Sequence, residues 1–118
     1  MFRIRVEDTF DASHMIPGHP GKCRSLHGHS YKVEVFIKGN ELDGNGIMKG
    51  ADFIELKKAL RIIVERYDHK HLNDIMGNNA TAENVARRIF KELGDKSIVG
   101  LEKVRVWESP NNYAEYWE

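Results

Sequence analysis

The sequence predicts an α+β fold in which two helices cover one face of an antiparallel four-stranded sheet, in the order ββααββ. Two segments with strand-like alternation begin the chain, two segments with helical spacing follow, and two further alternating segments end it. Strands that are grouped apart from helices are typical of α+β domains. A length of 118 residues fits one domain, residues 1–118.

The first two strands are predicted from the alternation of apolar and polar side chains. From Phe2 to His14 the apolar residues occupy even positions, which is typical of a strand with one buried face. From His29 to Lys38 they occupy odd positions, with one exception. His14 continues the apolar set of the first strand, and His27 and His29 continue that of the second. We therefore expect these imidazoles to share the apolar face.

The two helices are predicted from capping residues and from apolar side chains at helical spacing. The first begins at Asp52, in a sequence that approximates a capping box, and ends near Asp68. The second begins at Thr81, a good N-cap, and stops at Gly94. Alternation then returns, and a turn at 110–112 separates the last two strands.

Composition and charge restrict the classes of function. Eighteen basic residues balance eighteen acidic ones, so no overall positive field favours nucleic acid as a partner. No segment approaches the roughly 20 apolar residues of a membrane span, and the first residues lack an apolar signal core. The single cysteine, Cys23, suits a reducing compartment. We expect a soluble cytoplasmic protein that binds neither nucleic acid nor membrane.

A catalytic zinc site is predicted at His14, His27 and His29. Residues two apart in a strand project to the same side, so His27 and His29 present their imidazoles together, and the neighbouring strand supplies His14. Three imidazoles with an open fourth position are typical of catalytic zinc, whereas structural zinc usually has four ligands, mostly cysteines. Ordinary core or surface histidines are the alternative. A second pair, His69 and His71, ranks lower as a metal site because it lies in a predicted loop beside a lysine.

Cys23, Asp68 and His69 are candidate acid–base groups. Cys23 lies four residues before His27 and between two basic residues, and positive charge near a thiol favours the reactive thiolate. Asp68 beside His69 resembles a carboxylate and an imidazole positioned for proton transfer. For the cysteine, the alternatives are a buried small side chain or a fourth zinc ligand. For the Asp–His pair, the alternative is polar decoration at a helix end.

Glu108 is a candidate ligand-binding residue because it belongs to the apolar set of the strand that holds Val104 and Val106. An unpaired carboxylate would be costly to bury there, so we expect a fixed partner. A 2-amino-4-oxopyrimidine ring fits, since its N–H and amino group lie side by side and can both donate to one carboxylate. An intramolecular partner such as an arginine is the alternative.

These motifs resemble the 6-pyruvoyltetrahydropterin synthase and 6-carboxytetrahydropterin synthase family. The resemblance runs nearly end to end, through separated motifs in the same order. The motifs are Phe10–His14, Cys23–Tyr31, Asp52–Phe53, Asp68–His69, Leu72–Asn73, Thr81–Asn84 and Glu108. The resemblance implies the T-fold, in which trimers form a β-barrel. It also implies a homohexamer of two stacked trimers with active sites at subunit interfaces.

The resemblance implies residue roles as well. It places Zn²⁺ on the three histidines of the predicted zinc site. The implied catalytic set is Cys23, Asp68 and His69. The implied pterin-binding set is Glu108, with Glu83 and Thr81 at the start of the second helix.

The spacing between Cys23 and His27 bears on the reaction. Three residues separate them, as in a C-x3-HGH motif, which resembles the 6-carboxytetrahydropterin synthases of 7-deazaguanine (queuosine-type) biosynthesis. The pyruvoyl synthases tend to have C-x5-HGH. The resemblance thus implies a lyase that converts 7,8-dihydroneopterin triphosphate to 6-carboxy-5,6,7,8-tetrahydropterin, acetaldehyde and triphosphate. The alternatives are 6-pyruvoyltetrahydropterin synthase activity and a non-catalytic, zinc-stabilised oligomeric module.

Overall fold

A computed structural model describes residues 1–118 and contains five strands and three α-helices. The strands are β1 (Phe2–His14), β2 (His27–Gly39), β3 (Lys70–His71), β4 (Leu101–Ser109) and β5 (Asn112–Tyr116). The helices are α1 (Phe53–Val64), α2 (Leu72–Met76) and α3 (Ala82–Asp95). None of the three has the length and apolar composition that crossing a bilayer requires. The predicted α+β class is confirmed.

The sheet has the strand order β3-β1-β2-β4-β5. The four long strands pair antiparallel, and β1 and β2 form a hairpin whose register runs from Phe2 opposite Gly39 to His14 opposite His27. The short strand β3 joins β1 in parallel, with Ser13 opposite His71. The predicted count of four strands is therefore wrong, because a strand of two residues leaves no alternating pattern to detect.

The helices correct the prediction in two respects. A third helix, α2, was not expected, because five residues are too few to give a helical period. Helix α1 ends at Val64, earlier than expected, and turns carry the chain on to Asp68. The predicted N-caps are present: the Asp52 carboxylate accepts hydrogen bonds from two backbone N–H groups of α1, and the Thr81 hydroxyl accepts one from Asn84 N in α3.

The hydrophobic core lies between one face of the sheet and the helices. Leu60 and Ile63 of α1 and Ile89 and Leu93 of α3 belong to the same buried cluster as the alternate apolar residues of β1, β2 and β4. The amphipathic spacing of both helices thus matches the period-two pattern of the strands. As a result, most of the helix-facing residues in the middle of the sheet are buried, and so is His14 at its end.

The opposite face of the sheet carries a charged network around Glu34, which is only 5% exposed. Its carboxylate accepts hydrogen bonds from Arg5 Nε and Trp107 Nε1, and Arg105 Nη1 lies 3.6 Å away. Burial alone would raise the pKa of Glu34, but the hydrogen bonds from Trp107 and Arg5 outweigh it and hold that pKa below its ordinary value. Glu34 is therefore a paired, ionised group on the helix-free face.

Candidate metal centre and active site

Three imidazoles converge where β1 ends and β2 begins. The hairpin register places His14 opposite His27, and His29 projects to the same side two residues further on. The ring centroids are 4.5 Å apart for His14 and His27, 5.1 Å for His14 and His29, and 4.8 Å for His27 and His29. The three ligand nitrogens all lie within 4.8 Å of one another. These residues are called the three-histidine group below.

Backbone carbonyls orient two members of the three-histidine group. His14 Nδ1 lies 2.7 Å from the Ala80 carbonyl oxygen, and His27 Nδ1 lies 2.7 Å from that of Ser25. A carbonyl only accepts, so each Nδ1 carries the hydrogen and leaves Nε2 with a free lone pair. Such second contacts are characteristic of metal-binding histidines.

Two nitrogens of the group are buried and have no hydrogen-bond partner, Nε2 of His14 and Nε2 of His29. Burial lowers the pKa of His29, and the other two imidazoles lower it further, although the Glu108 carboxylate opposes them. Neutral imidazoles with buried, unpartnered nitrogens are what a zinc ion requires of its ligands. The three-histidine group therefore fits the predicted metal site.

The segment after β3 holds the end of β1 in place. Asn73 in α2 uses its side-chain amide twice on Met15, accepting from Met15 N at 2.9 Å and donating to Met15 O at 2.8 Å. Met15 directly follows His14, and the Ala80 carbonyl fixes the His14 ring itself. The unexpected helix α2 thus has a clear function in the fold, since it positions the first histidine of the group.

Glu108 lies between the three-histidine group and a polar pocket. Its Oε1 is 3.3 Å from His29 Nε2, outside hydrogen-bonding geometry. On its other side, Glu108 and Glu83 line a pocket of about 390 Å³ together with Tyr113. Glu115 also lines this pocket, but it is engaged by Arg105 at 2.6 Å. Glu83 and Glu108 are therefore the two carboxylates available to a ligand there.

Thr81 does not line this pocket. Its hydroxyl oxygen lies 3.2 Å from Asn84 N and caps α3. A cap of this kind fixes where the first turn of α3 begins, and Glu83 is in that turn. The geometry of a single chain thus gives Thr81 a positioning role for Glu83.

Cys23 lies in a short 3₁₀ turn, Lys22–Arg24, between β1 and β2. The thiol is free and half-buried, and the Cys23 carbonyl accepts a hydrogen bond from Ile16 N at 2.8 Å. The Cys23 sulfur does not lie within the cluster of ligand atoms that the three-histidine group forms. The closed site of one cysteine and three histidines is therefore not assembled in this chain.

Asp68 and His69 lie together along the outer edge of β1. His69 Nδ1 is 3.1 Å from Asp68 Oδ1, and Asp68 Oδ1 also accepts a hydrogen bond from Asp11 N at 2.9 Å. His69 adopts a left-handed backbone with a φ of 58°, which is uncommon for a residue other than glycine. Its backbone N–H donates to the Asp11 carbonyl at 2.6 Å, so contacts with β1 hold this conformation. Strained residues of this kind cluster at functional sites.

Hydrogen bonding also sets the charge of this pair. The N–H of Asp11 is the main group that holds the pKa of Asp68 below its ordinary value, with His69 and Arg61 acting in the same direction against the effect of burial. The carboxylate is therefore ionised near neutral pH and can orient the His69 ring through Nδ1. The Nε2 atom of His69 is left for proton transfer.

The Asp68–His69 pair lies apart from the three-histidine group, because His69 is not among the residues whose ligand atoms gather there. His69 and His71 line an open depression of about 540 Å³ that Ser13, Ser30 and His29 also border. Along β1 and β2 the side chains of Ser13 and Ser30 alternate with those of His14 and His29. The His69 side chain is 80% exposed. A single chain thus brings the three histidines together with Glu108, but it does not bring His69 to them.

One residue of the site, Tyr31, was not identified from the sequence. Tyr31 is fully buried beside the three-histidine group, and its hydroxyl has no hydrogen-bond partner. Burial raises the pKa of this phenol, and the charge of Glu108 raises it further, so the hydroxyl stays protonated. His71, the lower-ranked metal candidate beside His69, has its Nδ1 3.0 Å from Ser13 Oγ. The sequence did hold a signal for Tyr31, because its alternation places Tyr31 on the same side of β2 as His27 and His29.

Comparison with known proteins agrees with this geometry. The family model described as 6-pyruvoyl tetrahydropterin synthase matches residues 3–118. The 6-carboxy-5,6,7,8-tetrahydropterin synthase of Haemophilus influenzae is 33% identical, with 100% of both chains covered. The protein of the same name from Synechocystis sp. is 38% identical over 99% of this chain and 94% of its own.

A solved structure supports the same assignment. The 6-pyruvoyl tetrahydropterin synthase of Caenorhabditis elegans superposes with a TM-score of 0.86 and 27% identity, covering 99% of this chain and 95% of its own. The sheet, the helices and nearly the full length of the chain are therefore common to both proteins. The chain belongs to the 6-pyruvoyl tetrahydropterin synthase family.

Proposed function

We propose that this protein is a zinc-dependent lyase that converts 7,8-dihydroneopterin triphosphate and water to 6-carboxy-5,6,7,8-tetrahydropterin, acetaldehyde and triphosphate. The observation that carries the proposal is the 3.3 Å approach of Glu108 Oε1 to His29 Nε2. A ring-binding carboxylate thereby adjoins a metal-binding group, so a bound pterin would present its side chain to the metal. The relatives named 6-carboxy-5,6,7,8-tetrahydropterin synthase support this choice of product.

The three-histidine group would hold Zn²⁺ through its Nε2 atoms. The bound ion would act as a Lewis acid on the side-chain oxygens of the substrate. The protein supplies the orientation, because the Ala80 and Ser25 carbonyls fix the rings of His14 and His27. The absence of a nearby fourth protein ligand leaves a position open for substrate.

The pocket beside Glu108 would bind the pterin ring. One carboxylate can accept hydrogen bonds from the ring N–H and the neighbouring amino group, and Glu83 offers a second acceptor in the same pocket. A volume of about 390 Å³ is within the range of small-molecule sites. Tyr113 provides an aromatic wall at its rim.

Cys23 and His69 would transfer protons from opposite sides of the substrate, with Asp68 orienting His69. An imidazole that is 80% exposed cannot exclude water from a reaction, so His69 needs a second chain to cover it. We therefore propose that Asp68 and His69 of one subunit complete the site that contains Cys23 of its neighbour.

The sheet supports such an assembly. The outer edge of β1 is paired only at Ala12 and Ser13 by β3, and β5 forms the other edge of the sheet. Unpaired edges favour strand pairing between chains, and closure into a barrel removes them. We propose trimers that form a β-barrel, two of which stack into a homohexamer. The free Cys23 fits a reducing cytoplasm.

A product assay tests the proposal. Zinc-loaded protein is incubated with 7,8-dihydroneopterin triphosphate, and the pterin is identified by mass while acetaldehyde is measured separately. We expect a 6-carboxypterin and acetaldehyde in equal amounts. A 6-pyruvoyl product without acetaldehyde would show that the protein is a 6-pyruvoyltetrahydropterin synthase. A hydroxymethyl pterin would show that it cleaves the side chain in a different way from both synthases. No turnover at any substrate concentration would contradict the enzymatic proposal.

Cys23→Ala separates the enzyme from a non-catalytic zinc module. If Cys23 moves protons, the variant retains its zinc and loses at least about 100-fold in turnover. If Cys23 is a fourth ligand, the variant loses zinc affinity and unfolds at a lower temperature. Zinc content and the thermal midpoint are measured on the same samples as turnover.

A further inference from the structure

Only three buried side-chain nitrogen or oxygen atoms in the chain have no hydrogen-bond partner: Nε2 of His14, Nε2 of His29 and the hydroxyl of Tyr31. All three belong to one cluster of rings. The Tyr31 centroid is 5.9 Å from that of His14 and 5.5 Å from that of His29. The proposed metal accounts for the two nitrogens and leaves the hydroxyl of Tyr31 without a role.

The missing partner is costly at this position. The Tyr31 side chain is 0% exposed, and its ring stacks on Phe10 with a centroid distance of 4.8 Å. A hydroxyl that is buried without a partner loses its hydrogen bonds to water and gains none in return. Phenylalanine would fill the same space without this loss. The hydroxyl therefore needs an explanation outside the packing of the core.

A second buried tyrosine in the same core provides a direct comparison. Tyr67 is 1% exposed and also packs against Phe10, at a centroid distance of 5.7 Å. Its hydroxyl donates to Glu92 Oε1 at 2.8 Å. The core thus supplies a partner for the Tyr67 hydroxyl and none for that of Tyr31, whose ring lies beside the three-histidine group.

We infer that the Tyr31 hydroxyl is a ligand-binding group that donates a hydrogen bond to an oxygen atom of the molecule bound beside the three-histidine group. The inference rests on the proposed function, in which the substrate side chain brings oxygens to this site. The register of β2 and β4 pairs Lys32 with Trp107, and Tyr31 and Glu108 are the next residues along the two strands. Glu108 accepts hydrogen bonds from the ring, and Tyr31 donates one to the side chain.

Acetate tests this inference, because it supplies a carboxylate oxygen without a pterin ring. Cobalt-loaded wild-type protein, Tyr31→Phe and Tyr67→Phe are titrated with acetate, and binding is followed by the visible absorption of cobalt. We expect Tyr31→Phe to bind acetate about 10- to 100-fold more weakly, the effect of one hydrogen bond to a charged acceptor. Tyr67→Phe is the matched control and should bind within about twofold of wild type.

The thermal midpoints of the metal-free proteins give a second readout. Tyr31→Phe should unfold at the same or a higher temperature than wild type, because it removes a buried hydroxyl without a partner. Tyr67→Phe should unfold at a lower temperature, because it removes a satisfied one. Equal acetate affinity in wild type and Tyr31→Phe would overturn the inference. A lower thermal midpoint for Tyr31→Phe than for wild type would also overturn it, and so would a failure of the wild-type protein to bind acetate.

Pterin and pterin-6-carboxylate separate this inference from the proposed function. Wild type should prefer the carboxylate, and Tyr31→Phe should lose most of that preference while binding pterin as before. If both pterins fail to bind while acetate binding still depends on Tyr31, the proposed function fails and the inference stands. If pterin-6-carboxylate binds equally well to both proteins, the inference fails and the proposed function stands.

Discussion

Removal of the metal should strongly destabilise the protein. Without a metal, Nε2 of His14 and Nε2 of His29 remain buried and unpartnered. Each buried polar atom left without a partner costs about 1–3 kcal/mol, so the free energy of unfolding should fall by about 2–6 kcal/mol. In a domain of this size 1 kcal/mol corresponds to about 4 °C. We therefore expect the thermal midpoint to fall by about 8–24 °C.

The measurement is calorimetry of zinc-loaded protein before and after dialysis against a chelator, with zinc content determined on each sample. His29→Ala removes one ligand and should lose both the bound zinc and the response to chelator. His19→Ala is the matched control, because His19 is exposed and lies outside the three-histidine group. It should retain one zinc per chain and the full response.

Two results would refute this reasoning. The first is a midpoint that changes by less than about 2 °C when the zinc is removed, which would mean that the buried nitrogens find other partners in the metal-free protein. The second is a His29→Ala variant that still binds zinc and still responds to chelator. In that case the metal would be held elsewhere.

Two further predictions concern the assembly and the charged network. The Cys23→Ala and His69→Asn variants should each be inactive. If each site takes these two residues from different chains, dissociating the variants and reassembling them in equal amounts should restore about one quarter of the wild-type sites. No recovery of activity would place both residues of a site in one chain. Because the pKa of Glu34 is lowered in the folded protein, its contribution to stability is complete above the ordinary pKa of glutamate, about 4.3, and is lost as the pH falls through the lower folded value. Chemical unfolding of wild type and Glu34→Gln should therefore differ by about 1–3 kcal/mol at pH 7, and the difference should shrink as the pH falls below the ordinary pKa of glutamate. A difference that does not change with pH would contradict the assigned charge.

The three-histidine group could be anticipated because it lies in two long strands with strong alternation. Alternation fixes the face on which a side chain lies, so it predicted that His14, His27 and His29 share one side of the sheet. It does not fix the register between strands. That His14 faces His27 directly depends on the pairing of the whole hairpin.

The rest of the site depends on contacts between distant parts of the chain. Hydrogen bonds from Asp11 and Met15, in the first third of the chain, anchor residues 68–73, the segment that contains β3 and the start of α2. No local pattern encodes these contacts. For Glu108, an arginine was the expected alternative partner, whereas the neighbour in the structure is His29. The missing partner of Tyr31 is likewise a tertiary property, because the sequence indicates only that Tyr31 is buried.

The left-handed backbone at His69 limits how this site can be re-engineered. Asparagine, aspartate and glycine tolerate a φ near 58°, whereas valine, isoleucine and threonine do not. A library that substitutes all amino acids at position 69 and is scored by activity would therefore mix losses of chemistry with losses of folded protein. A library restricted to the three tolerant residues would report on the chemistry alone. Directed evolution of this position thus starts from a small set of replacements chosen by the backbone.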